Sequence, residues 1–386
     1  MHLPNYRDGS IVNLMSSIRN ALGDRSAIYD ELRLLPSKEL KDAKNIVLIV
    51  IDGLGYTFLE KQAKGTVFRK GLKGAMTSVF PATTASAITT FATGAAPQQH
   101  AFTGWFMHLK EIGVVFTTLL FNPRFGGPAL STNGFTVQQV LKAKGISERL
   151  KACSYLVTAR SIMNSDFTQA ISGSSKRVGC NTLNDFFMQM EKSIRSHNRK
   201  KFIFAYWPEF DSIAHKNGIG SKQAKKHYDE LCRSLERFLK QIMDTKTTLI
   251  ITSDHGLIDT TKDRMIQLEE HPELLDCLTL PLCGEPRAAY CYVHPSKAER
   301  FEAYVKTKLK KYCSLHKSQD LIDKNIFGLS EPDPSLFDRV GDYVLIMKEN
   351  YIIKDMILKK ERDFHIGNHG GVSRDEMIVP LIVFQP

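Results

Sequence analysis

Three short segments bring together residue types that hold metal ions. Asp211-Ser-Ile-Ala-His215 sets a carboxylate and an imidazole four residues apart, on one face of a helical turn, where both reach one ion. Ser253-Asp254-His255-Gly256 places the same pair side by side. It sits where a strand gives way to a loop, so adjacent side chains need not face opposite ways. Asn368-His369-Gly370-Gly371 follows a histidine with two glycines, which let backbone pass close to a crowded centre. A fourth segment, Asn45 to Gly55, runs through six apolar residues straight into Asp52. Asp and neutral His are ligands of Zn²⁺ and similar divalent ions. Three Asp and three His exceed what one tetrahedral zinc takes and suit a pair of metals. Each segment also has an ordinary reading: Asp52 as a helix cap, Asp211 and His215 as a solvated helix face, Ser253 to Gly256 as a plain turn.

A nucleophile is offered by Phe80-Pro-Ala-Thr-Thr-Ala-Ser86. A Thr opening a small-residue helix can set its Oγ beside a metal, and the helix N-terminus can hold a phosphate on that oxygen. Thr83 and Thr84 are both candidates, and either can instead be a plain N-cap. Charge favours a phosphate substrate. Three aspartates and two divalent metals leave the seat at about +1, which attracts an anion and lowers the pKa of a bound hydroxyl.

These residues need strands to position them. Ile46 to Ile51 reads as a strand buried on both faces, as inside a parallel sheet. Phe202 to Tyr206 and Thr247 to Thr252 read the same way, and Met377 to Phe384 as a closing strand. The ligand segments sit at the carboxyl side of such strands or just before the last, where open α/β sheets bind ligands. Strands are also predicted over 75–80, 113–121, 288–293 and 342–348. Helices are predicted over 11–22, 84–93, 136–144, 223–243 and 296–312, and a Gly/Pro/Asn loop over 122–134. The fold class is α/β, a mainly parallel sheet sandwiched by helices. The organisation is a helical preamble (1–44), a core (45–261 and 366–386) and an inserted cap (262–365).

The 386 residues are 42% hydrophobic and 24% charged, ordinary for a soluble globular chain. No apolar run reaches the length of a membrane span, and the first residues lack a signal-peptide pattern. Seven scattered cysteines without a CxxC pair fit a reducing cytoplasm. The net charge of +11 invites a nucleic-acid reading. However, the basic residues lie in small groups (Arg199 to Lys201, Lys225-Lys226, Lys308 to Lys311, Lys359-Lys360) that read as solvated helix faces. A mildly positive field still draws anionic substrates.

The ordered set IVLIVIDGLG, VFPATTAS, FDSIAHKNG, TSDHG and GNHGG, followed by EMIVPLIVF, resembles the type I phosphodiesterase / nucleotide pyrophosphatase family of the alkaline phosphatase superfamily. The resemblance runs from about Asn45 to the C-terminus. It implies two divalent metal ions, zinc with manganese as the alternative. Asp52, Asp254 and His255 would hold one, which also touches the nucleophile; Asp211, His215 and His369 would hold the other. The family nucleophile lies three residues after a Pro, which selects Thr84. The implied activity is hydrolysis of phosphodiester or phosphoanhydride bonds through a phosphothreonine, on a small nucleotide-like phosphate ester; the apolar runs and the grouping of basic residues separately argue against a membrane or a nucleic acid as partner. Where eukaryotic members carry a phosphate-binding Asn, His100 to His108 has none. Thr103, Trp105 or a backbone N–H is the expected substitute, and Asn122 a weaker one. Trp105 and Phe106, with the cap, are expected to wall in the leaving group. His365 is expected to be a bystander. The rival readings are a phosphomonoesterase or phosphonate hydrolase of the same superfamily, and a non-hydrolytic metal-containing phosphate- or nucleic-acid-binding protein.

Overall fold

A computed structural model describes residues 1–358 and 364–385; Lys359-Lys360 and Pro386 lie outside them. The apolar runs form the middle of a seven-stranded sheet. Its order is Leu72–Thr77, Ile378–Phe384, Thr247–Thr252, Asn45–Ile51, Lys201–Trp207, Cys153–Ala159, Lys176–Cys180. Asn45–Ile51 pairs in parallel with both neighbours, whereas the closing strand Ile378–Phe384 is antiparallel to the two strands beside it.

Alternation along the central strand sends Ile46, Leu48 and Val50 into one apolar cluster and Val47, Ile49 and Ile51 into another. Helices Ile11–Ala21 and Thr84–Thr93 cover the first face; Leu183–Arg195 and Lys222–Gln241 cover the second. Burial on both faces explains why these strands read as unbroken apolar runs. After Asn45–Ile51 the chain leaves for the Leu72–Thr77 edge, whereas Lys201–Trp207 is reached from the opposite side. The carboxyl ends of the central strands therefore border a switch in strand order, where such sheets open a crevice.

A second, antiparallel sheet has seven strands: Cys313–Lys317, Tyr343–Met347, Ala288–Cys291, Cys283–Glu285, Phe106–Leu109, Val114–Thr117 and Asn122–Pro123. Its first four lie in the segment read from sequence as an insertion. The last three come from residues the sequence reading gives to the core, and join through the bridge Gly284–Phe106. The helix expected over 296–312 is a 3₁₀ turn, helix Ala298–Tyr304 and a π turn Val305–Leu309. Among the described residues, no helix is long and apolar enough to cross a membrane.

Candidate active site

Asp52 follows its strand directly, held by its N–H donating to Trp207 O at 3.0 Å. Asp211 and His215 lie on helix Glu209–Asn217, which starts two residues after the next strand over. The i, i+4 spacing brings His215 Nε2 to 3.0 Å from Asp211 Oδ2. Asp254 and His255 follow the strand on the other side of Asn45–Ile51. Asp254 Oδ1 accepts from Gly53 N–H at 3.1 Å and His255 N–H at 3.0 Å, tying the two loops together. His369 is placed by a short ladder in which Ile258 pairs with Asn368. Gly367, just before it, passes so close to Ala214 that a Cβ there would lie 2.6 Å from the carbonyl oxygen.

All six predicted ligands thus converge. His255 Nε2 lies 3.4 Å from Asp52 Oδ1 and 3.5 Å from Asp254 Oδ2. The His369 ring stacks on His255 at 3.7 Å and stands 5.1 Å from His215. Two groups place their ligand atoms within 4.8 Å of one another: Asp52, Asp254 and His255, and Asp211, His255 and His369. Thr84 opens helix Thr84–Thr93, with Oγ1 at 3.1 Å from His255 Nε2. Thr83, the N-cap residue, makes no side-chain cap and instead donates to Glu285 Oε1 at 2.6 Å.

The donor set fits divalent cations. Asp52 Oδ1, Asp211 Oδ1, Asp254 Oδ2 and His369 Nδ1 are buried without a hydrogen-bond partner. Four such atoms in one place would be costly without a positive charge to meet them. Histidine tautomers agree. Nδ1 of His215 lies 2.7 Å from Gly367 O and that of His255 lies 3.0 Å from Gly256 O. Each Nδ1 therefore carries a hydrogen, which leaves Nε2 as the inward atom that would give its lone pair to a cation.

The electrostatics show the same pressure. Burial, then the Asp254 and Asp211 carboxylates, push the Asp52 carboxyl well above its usual range. Burial works against charge on His215 and Asp211 alike, yet their mutual attraction prevails. Asp211 lifts His215 to about 9, and His215 holds Asp211 below the usual carboxylate range. Burial and the neighbouring His255 keep His369 well below the usual imidazole value. The Tyr206 hydroxyl, which sequence reasoning did not single out, donates to Asp52 Oδ2.

Above this floor opens a cavity of about 530 Å³. The core lines one side with Asp52, Thr84, Asp211, His215 and His369, while Asp254 and His255 lie wholly buried beneath. The second sheet supplies much of the facing wall, including Trp105, Phe106 and Glu285. Arg124 stacks 3.9 Å above the Phe106 ring, donates to Leu282 O at 2.7 Å and forms an ion pair with Asp355. Thr103 is not part of this wall. It is fully buried, and its carbonyl accepts from Tyr290 Oη at 2.8 Å. The Trp105 N–H is spent on Glu285 Oε1 at 2.7 Å. Asn122 lies away from the wall on the outermost strand, while His365 lines the cavity with its ring 4.8 Å from His215. Burial pushes Glu285 up to about 7, against the hydrogen bonds from Thr83 and Trp105. Glu285 carries no motif, and only the tertiary fold reveals it.

Residues 46–372 match the model of the family described as type I phosphodiesterase / nucleotide pyrophosphatase. The chain is 27% identical over 213 residues to the human bis(5'-adenosyl)-triphosphatase ENPP4. That match covers 49% of this chain and 42% of the relative, so it spans less than half of that protein. Among solved structures, murine ectonucleotide pyrophosphatase / phosphodiesterase 5 superposes with a TM-score of 0.68 at 18% identity, over 88% of each chain. An inactive form of that protein is solved in complex with AMP. Phosphonoacetate hydrolase from Sinorhizobium meliloti, in complex with phosphonoformate, superposes with a TM-score of 0.65 at 17% identity, over 89% of this chain and 90% of the other.

Proposed function

This chain belongs to the type I phosphodiesterase / nucleotide pyrophosphatase family, and on that premise we propose that it hydrolyses phosphodiester or phosphoanhydride bonds of small nucleotide-like esters with Thr84 as nucleophile. The observation that carries the reading is the convergence beneath Thr84 of four buried, unpartnered donor atoms from Asp52, Asp211, Asp254 and His369. Asp52, Asp254 and His255 would hold one divalent cation beside Thr84; Asp211, His215 and His369 would hold a second. Zinc suits this oxygen and imidazole set, with manganese as the alternative. Such cations, when bound, neutralise phosphoryl charge and favour ionisation of a nearby hydroxyl.

The chain's own residues supply the rest. Thr84 Oγ1 and His255 Nε2 lie 3.1 Å apart over the carboxylate floor, so a cation held by His255 would lie beside the hydroxyl. The first amides of helix Thr84–Thr93, left uncapped by the Thr83 side chain, face a phosphoryl group brought to Thr84. Thr84 Oγ1, its proton given up to solvent, bonds to phosphorus as the opposite ester oxygen leaves with its electron pair and takes a proton from solvent. Water then cleaves the phosphothreonine, restoring the hydroxyl, and two in-line displacements give net retention at phosphorus. Phe106, backed by Arg124, offers an aromatic face to the leaving group. A cytoplasmic location suits seven cysteines that are all unpaired thiols.

Thr84→Ala is expected to lower turnover of bis(p-nitrophenyl) phosphate by roughly 10⁴-fold or more, as for loss of a covalent nucleophile. Bound metal, measured by elemental analysis, stays at the wild-type level. Full activity in this variant, or activity that survives metal removal by a chelator, would sink the proposal.

A further inference from the structure

We propose that Glu285 is a specificity-determining residue that turns the Thr84 site toward phosphodiesters and away from phosphomonoesters. The inference rests on the hydrolase reading above. Glu285 ends strand Cys283–Glu285 and is 7% exposed, on the wall of the cavity. Its position is fixed from both sides. Oε1 accepts from Thr83 Oγ1, next to the nucleophile, at 2.6 Å and from the Trp105 N–H at 2.7 Å. Oε2 takes part in neither bond.

Among the described residues, no lysine or arginine forms an ion pair with it. Arg287, two residues on, is committed to Glu376 at 2.9 Å. His215 and Asp211, both on the floor of the cavity, act on it electrostatically, and Lys354 and the Arg124–Asp355 pair line the same cavity. A carboxylate with no cation of its own is an unusual lining for an anion site, and burying it is costly. That cost is explained if the charge does something to the substrate.

A floor of three aspartates and two divalent cations would carry about +1, and the Glu285 carboxylate beside it brings that set of groups to about zero, counted apart from Lys354 and the Arg124–Asp355 pair on the same lining. A diester presents one negative charge at phosphorus and a monoester up to two. The added carboxylate therefore weighs most on the second charge. An esterified oxygen turned toward Glu285 carries none, and a hydroxyl on the ester group can donate to Oε2.

Glu285→Gln removes the charge while its amide oxygen still accepts both hydrogen bonds. The measurement is kcat/KM for p-nitrophenyl phosphate and for bis(p-nitrophenyl) phosphate at pH 9, together with the inhibition constant of inorganic phosphate. The monoester-to-diester ratio is expected to rise roughly tenfold to a hundredfold, the scale of one unit charge acting across a few ångströms of protein. Phosphate should inhibit correspondingly more tightly. Glu285→Ala, a second charge-removing variant, should shift the ratio the same way. Thr83→Val, which keeps the charge and drops one bond, should leave it in place. An unchanged ratio and unchanged phosphate inhibition in both charge-removing variants would overturn the inference, as would an equal shift in Thr83→Val. Parallel loss on both substrates with a lowered melting temperature would mark Glu285 as purely structural. A wild-type enzyme inactive on both esters would instead sink the hydrolase reading, and this inference with it.

Discussion

Glu376 is the residue by which the second sheet holds the His369 loop, and its neutralisation is a sharp test of the site's construction. The side chains of Arg287 and Glu376 are 1% and 0% exposed. Their pairing is bidentate, Nε to Oε1 at 3.0 Å and Nη2 to Oε2 at 2.9 Å. The same carboxylate accepts from Gly371 N–H at 2.8 Å and Ser373 Oγ at 2.6 Å. Gly371 is two residues past His369, so the pair anchors the loop that carries this proposed ligand. Glu376→Gln keeps the shape and strands a buried guanidinium, which costs about 3–5 kcal/mol. For 386 residues the unfolding entropy is about 0.8 kcal/mol/K, so the melting temperature should fall by about 4–6 °C if the chain unfolds as one unit. Burial alone would raise the Glu376 carboxyl, but Arg287 and the hydrogen bonds hold it below its ordinary 4.5. Its contribution is therefore complete above about pH 4.5 and is lost as pH falls through the depressed native value. Differential scanning calorimetry of both proteins at pH 7 and across the acid limb reads these quantities. Diester turnover reads the loop and should fall about 10–100-fold, as for loss of outer support to a ligand. A melting temperature within ~1 °C of wild type together with full turnover would refute the reasoning.

Two further outcomes follow from the same geometry. Tyr206→Phe removes the hydroxyl that donates to Asp52 Oδ2 and should weaken metal retention about 10–100-fold; an unchanged chelator midpoint for inactivation would count against it. Gly256→Ala would set a Cβ 2.0 Å from Asp375 O and 2.9 Å from Gly55 Cα. It should destabilise the fold by about 1–3 kcal/mol or more through overpacking against backbone, and a melting curve matching wild type would contradict the packing described.

The core was legible where burial on both faces writes itself as an apolar run. Asn45–Ile51 and Thr247–Thr252 carry that signal, and the candidate ligands at their ends follow from it. Cys153–Ala159 and Lys176–Cys180 form the far side of the sheet and went unassigned. Lys176–Cys180 is the edge strand, half exposed over its first three residues, and its KRVGC sequence alternates too little to read. The strand expected over 75–80 runs instead over Leu72–Thr77. Ser78 N–H still bonds to Met377 O, opposite it in the antiparallel register, while its hydroxyl turns to Asp254 O. Likewise the expected 113–121 strand stops at Thr117, since the turn puts Phe121 at φ 54°. Phe106–Leu109 went unassigned although it forms a local hairpin with Val114–Thr117; what no local pattern reports is its bridge to the distant Gly284.

The same division separates the two halves of the site. Asp52, Asp211, Asp254 and His255 follow parallel strands whose register both neighbours fix, so residue type and spacing marked them as candidates. Tyr206 and Glu285 act through what they touch. Tyr206 matters because Asp52 follows the adjacent strand, and Glu285 because an antiparallel sheet assembled from distant segments brings it to Thr83. The proposed metal floor is thus built on the central sheet, where a displaced Asp or His would disturb the strands that carry it. The wall facing it stands on a second sheet joined to the Phe106 hairpin by one bridge. Substitutions on that wall can change which ester is accepted without moving the carboxylates and imidazoles beneath Thr84.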